Sequence, residues 1–178
     1  MLVHVLLINY QVLWNTNMTS LQKLEQKIGE ALGLEKAAQA AVDSLSAQGL
    51  LDEGGMKDKL QTMKKQANNH QANLEELIPD LESEGLNSEN IEHTAQETEQ
   101  KATEMMKTYL GEDPDSSEAI EFLCLAEGGE ITHYEVLSAM AKGVKNKKFG
   151  AKVRAILAEE KRHLQLCTRL AKQIGTSA

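Results

Sequence analysis

Apolar residues recur at steps of three and four along most of the chain, with polar residues between them. The first such stripe is Leu21, Leu24, Ile28, Ala31, Glu35, Ala38, Val42 and Leu45. This is the spacing of one buried face of a helix. Thr19 and Ser20 are of the type that caps such a helix, which the stripe carries to about Ala47. Gly49 to Gly55 makes a short loop, so the second helix should return antiparallel. That helix is predicted from about Met56 to Leu81, on the stripe Met56, Leu60, Met63, Ala67, His70, Leu74, Leu77 and Leu81. Residues 88–110 carry a thinner stripe, Ile91, Ala95, Ala102, Met105, Met106 and Tyr109, which suits a crossover helix packed on the outside.

The third core helix is predicted from about Ser117 to Gly143, and its phase is ambiguous. One seam is Ile120, Leu123, Glu127, Glu130, Tyr134, Leu137, Ala141 and Val144. The other is Phe122, Leu125, Gly129, Thr132, Val136 and Ala139, with Glu135 at its margin. Gly128-Gly129 either weakens this helix or lets another backbone approach it. After the basic turn Lys145 to Lys148, a fourth helix runs to about Ile174 on Phe149, Val153, Ile156, Cys167, Leu170 and Ile174. The expected architecture is all-α: an antiparallel four-helix bundle of two hairpins, joined by an additional crossover helix.

Composition supports helices: only 3% of residues are aromatic and only 2 are proline, so a sheet-rich fold is disfavoured. The net charge is −8 with no basic block, which argues against nucleic acid and anionic membrane surfaces as partners. Cys124 and Cys167 form no CxxC pair and read as reduced thiols of a cytoplasmic protein. Residues 1–17 (MLVHVLLINYQVLWNTN) contain no Asp, Glu, Lys or Arg. The run is too short to span a membrane and lacks the basic n-region of a secretory signal. It reads either as an arm that docks on a partner or as an extension upstream of a natural start at Met18. We favour the extension and take residues 18–178 as the folded domain.

Four polar residues interrupt the apolar stripes. Glu160 and His163 fall where the fourth stripe calls for Leu or Ile, Glu35 interrupts the first, and His70 the second. The Glu-x-x-His spacing alone is weak evidence, because this composition yields it in roughly one chain in two. Position strengthens it. Each residue lies near the middle of its helix, and mid-helix positions of antiparallel helices meet at one level. Carboxylate oxygens and neutral imidazole converging on a dry point form a metal ligand set. Taken singly, His70 reads as a hydrogen-bonded core histidine, and Glu127, Glu130, Glu135 and Glu159 read as surface residues.

Several stretches also resemble a known family, the YciE/YciF-type proteins of the ferritin-like superfamily, over about residues 20–175. Leu34-Glu35-Lys36 resembles the Glu-Lys of that family's first helix, and His70 with Leu74-Glu75-Glu76 resembles its second. Ile131-Thr132-His133-Tyr134-Glu135-Val136 resembles its Glu-His-Tyr-Glu-Ile stretch. Leu157-Ala158-Glu159-Glu160-Lys161-Arg162-His163 resembles its Leu-x-Glu-Glu stretch. The resemblance implies a ferritin-like bundle binding iron or manganese through Glu35, His70, Glu160 and His163, with Glu135 or Glu130 from the third helix. It also implies a stress-related role. The chain departs from the pattern where Ala67 stands one turn before His70, in place of Glu, and where Thr132 precedes His133. A full set of four carboxylates and two histidines is therefore not expected, and the di-metal site reads as degenerate. On that reading, Ala67→Glu should raise metal occupancy. The alternative is a metal-free bundle that acts by association as a homodimer. A weaker third reading is a carrier of small apolar ligands. No catalytic residue is assigned.

Overall fold

The computed structural model describes residues 18–176, so the apolar segment 1–17 lies outside the described residues. The helices are α1 (Ser20–Ala47), α2 (Met56–Glu75), α3 (Ile78–Glu82), α4 (Ser88–Leu110), α5 (Ser116–Met140) and α6 (Lys147–Gly175). Single 3-10 turns, Glu53–Gly55 and Ala141–Gly143, precede α2 and follow α5, and the described residues contain no strand.

Local chemistry sets the ends. Thr19 and Gln22 form a reciprocal capping box at α1, as Asp115 and Glu118 do at α5. The end of α1 is closed by Gly49 at φ +75°, with Leu50 N–H donating to Leu45 O and Gly49 N–H to Ser46 O. The second predicted helix is broken. It stops at Glu75 and restarts at Ile78, because Pro79, at the start of α3, has no N–H to continue the ladder.

Each of α1, α2, α5 and α6 packs on two of the others: α1 on α2 and α5, α6 on α2 and α5. Cross-helix pairs give the direction. Asp43, Gln39 and Glu35 of α1 meet Lys64, Asn68 and His70 of α2 in reverse order. Cys167, His163 and Glu159 of α6 likewise meet Met63, Gln66 and His70 of α2. Helix α4 lies along α1 and touches α5 only lightly. A Cβ on Gly29 would sit 2.5 Å from Ile91 O, and one on Gly33 2.4 Å from Ala95 O, so glycine permits this close approach. Buried Glu25 of α1 fixes the start of α4, accepting from Asn87 N at 2.8 Å and Asn90 Nδ2 at 3.0 Å.

The core has two apolar layers. One contains Leu24, Ile28, Leu32, Leu74, Leu81, Phe149 and Ile156; the other contains Val42, Leu45, Leu60, Met63, Ile120, Leu123 and Leu170. Glu35, His70, Glu127, Glu130, Glu160 and His163 are buried at intermediate positions on the same four helices. The phase of α5 is the seam containing Ile120, Leu123, Tyr134 and Leu137, while Leu125 and Val136 of the other seam are exposed. Leu21, at the first position of the α1 stripe, is exposed as well.

Candidate metal centre

Helix periodicity carries these six polar side chains inward, and all six are buried. Two triads have ligand-type atoms all within 4.8 Å of one another: Glu35, His70 and Glu160, and Glu127, Glu160 and His163. Glu160 belongs to both. Its Oε1 lies 2.6 Å from His70 Nδ1, and its Oε2 lies 3.2 Å from His163 Nδ1. Glu35 Oε1 is 3.3 Å from His70 Nδ1, and Glu127 Oε2 is 3.6 Å from His163 Nδ1. The two imidazoles stack at 5.7 Å between centroids.

Both rings are held from behind. His70 Nε2 lies 2.9 Å from Glu159 Oε2, and His163 Nε2 lies 3.0 Å from Gln66 Oε1. A carboxylate and an amide oxygen only accept, so each Nε2 carries the hydrogen and donates it. A ring without a second proton would then turn its Nδ1 lone pair towards carboxylate oxygens. Acceptors facing acceptors at these distances require a cation between them, a proton or a metal. Among the described residues, the buried side-chain polar atoms lacking a hydrogen-bond partner are Glu35 Oε2, His70 Nδ1, Glu127 Oε2 and Glu160 Oε1. All four belong to this cluster. The contact between His70 Nδ1 and Glu160 Oε1 is short but not aligned as a hydrogen bond.

The charges show the same demand. Burial and the neighbouring Glu160 charge push the Glu127 and Glu130 carboxyls well above their ordinary range. Burial raises Glu35 to about 7, with His70 and Tyr134 pulling it down and Glu160 pushing it up. Burial also works against ionised Glu160, but His163 and His70 outweigh it and hold this carboxyl at about 2. Burial disfavours charged His70, yet Glu160 and Glu35 raise it to about 11. Buried Tyr134 stays protonated, its pKa pushed up further by the Glu35 charge, and donates to Glu35 Oε1 at 2.6 Å. Without a metal, protons neutralise the cluster; divalent ions would displace them.

Of the residues singled out from the sequence, Glu35, His70, Glu160 and His163 come together. Glu135 does not: it is exposed on α5 and pairs with Lys161 at 2.6 Å. The inward carboxylates of α5 are instead Glu127 and Glu130, which fit the phase of Tyr134 and Leu137. From the sequence Glu127 reads as a surface residue and Glu130 only as the alternative to Glu135, although the seam through Ile120 and Leu123 contains both. Their presence corrects the carboxylate count. With Ala67 buried on α2, α5 contributes two glutamates, and four carboxylates and two histidines share the interior. His133, of the second Glu-x-x-His pair, turns away to Gly129 O and Glu30. Glu159 is not simply solvated, because it orients His70.

The described residues thus form an all-helical domain whose packed helices enclose a carboxylate–histidine cluster. No helix among the described residues is long and apolar enough to cross a membrane. Comparison with protein-family models, curated proteins and solved structures gives no match.

Proposed function

We propose that this protein is a metal-binding bundle of the ferritin-like kind, holding a pair of iron or manganese ions in its core. One observation carries the reading: Glu160 presents one oxygen to each of two triads, in the manner of a bridging carboxylate. Glu35 and His70 would hold one ion, Glu127 and His163 the other, and Glu130 adds a further buried carboxylate beside Glu160. The donors are hard oxygens with imidazole, a set suited to iron and manganese; the buried thiol of Cys167 contacts Met63 Sδ instead. Bound iron would supply redox chemistry, and the residues around it hold the ligands, keep water out and fix the histidine tautomers.

A metal-free core is the competing reading. A protonated His70 between Glu35 and Glu160 favours it. It leaves Glu35 Oε2 and Glu127 Oε2 buried without partners, a cost of about 1–3 kcal/mol each. Metal analysis after loading with iron or manganese separates the two. The proposal expects about two equivalents per chain, a higher melting temperature on loading, and loss of both effects in His163→Ala. Less than about a tenth of an equivalent, with melting indifferent to iron, manganese and zinc, would overturn it.

A further inference from the structure

The two triads match group for group: Glu35 answers to Glu127, His70 to His163, and Glu160 serves both. Glu130 belongs to neither. The match extends to what stands behind the rings. Gln66 lies one turn before His70 on α2, and Glu159 lies one turn before His163 on α6. Each reaches across to the other helix's ring. Glu159 Oε2 lies 2.9 Å from His70 Nε2, and Gln66 Oε1 lies 3.0 Å from His163 Nε2.

The match fails in charge. Glu159 is a half-buried carboxylate whose Oε1 lies 3.5 Å from Arg162 Nη2, whereas Gln66 is a neutral amide. A carboxylate that accepts the Nε2 hydrogen draws it away from the ring and leaves a stronger donor at Nδ1. An amide oxygen does this far less. The carboxylate also adds negative charge behind one half of the site and not the other. The glutamates differ in the same sense. Glu35 is held by the Tyr134 hydroxyl at 2.6 Å, whereas Glu127 Oε2 has no hydrogen-bond partner.

We infer that the two halves of the site are unequal by construction and load in order, the first divalent ion between Glu35 and His70 and the second between Glu127 and His163. Glu159 and Gln66 set the order as positioning residues, acting through the imidazoles and not as ligands. The inference rests on the proposed function, since a core that binds no metal has no order of loading. It goes further, because two equal ions would satisfy that reading fully.

The test is titration of manganese into the metal-free, full-length protein by equilibrium dialysis, with anomalous diffraction at the manganese edge from crystals grown at one equivalent. The expected result is two binding constants separated by at least about tenfold beyond the statistical ratio of equal sites, with the one-equivalent peak beside His70. Glu159→Gln keeps an acceptor oxygen for His70 Nε2 and removes the charge, so it should weaken the first ion about tenfold or more and close the gap. A residue that merely props the ring would leave the gap unchanged. Gln66→Glu should close the gap from the other side, by tightening the second ion, and carries the test if Glu159→Gln fails to fold. Two ions without separated constants, a first peak beside His163, or a gap unmoved by either substitution would overturn the inference and leave the metal reading standing. No bound manganese would overturn the metal reading, and the order of loading with it.

Discussion

Glu160 is the residue on which the interior depends. It is wholly buried, yet the histidines on either side keep it ionised. Its placement was legible in the sequence, because a charged residue in an otherwise unbroken 3-4 apolar stripe has to be paired or neutralised. Ala67 was legible as a gap in the ligand pattern, but its consequence was not, since the compensating carboxylates lie on another helix. On the proposed function, the expectation for Ala67→Glu changes. Ala67→Glu should add a fifth carboxylate to a sufficient set, leaving metal content unchanged and lowering stability by about 1–3 kcal/mol as an unpartnered buried group; metal titration and thermal melting check both parts. Tyr134→Phe tests the support around the cluster. It removes the 2.6 Å hydrogen bond to Glu35, and should weaken metal affinity by about 10–100-fold without changing stoichiometry.

Among the elements, α1 and α6 follow their stripes closely, α4 buries Ile91, Ala95 and Met106 of its stripe but exposes Met105 and Tyr109, and α5 carries two apolar faces and was ambiguous. Glu118, Glu121, Glu127, Glu130 and Glu135 make every phase of α5 look solvated, and Gly128-Gly129 removes two side chains that would have fixed it. Contacts from α1 and α6 settle the matter, since Tyr134 reaches Glu35 on one side and Glu135 meets Lys161 on the other. The break in the second helix at Pro79 was missed, because its apolar stripe continues unbroken through Leu77 and Leu81. The glycines give a paired prediction. Gly33→Ala should destabilise the fold by about 1–3 kcal/mol, because its Cβ would meet the α4 backbone. Gly128→Ala should stabilise it by about 0.5–1 kcal/mol, because its Cβ meets nothing and helix propensity improves. Denaturant midpoints of the two variants should therefore move in opposite directions.

For the whole molecule, the buried carboxylates couple pH and stability, and on the proposed function they couple metal to both. In the folded state Glu35 rises from 4.5 to about 7, and Glu127 and Glu130 also rise. The folded protein thus holds protons that the unfolded chain releases, so their contribution is full below the unfolded value and is lost as pH rises through the folded one. Glu160 acts oppositely, its contribution being lost only as pH falls towards about 2. His70, raised from 6.5 to about 11, adds a decline that starts near pH 6.5 and is complete near pH 11. The metal-free protein should therefore melt at progressively lower temperature between about pH 5 and pH 8, and divalent metal should reverse that trend by replacing the protons. The most direct test of the central claim is diffraction from crystals of the iron- or manganese-loaded protein, measured at the metal absorption edge. The account predicts two anomalous peaks flanking the Glu160 carboxylate, one beside His70 and one beside His163. An anomalous map featureless at the bundle centre after loading would contradict it.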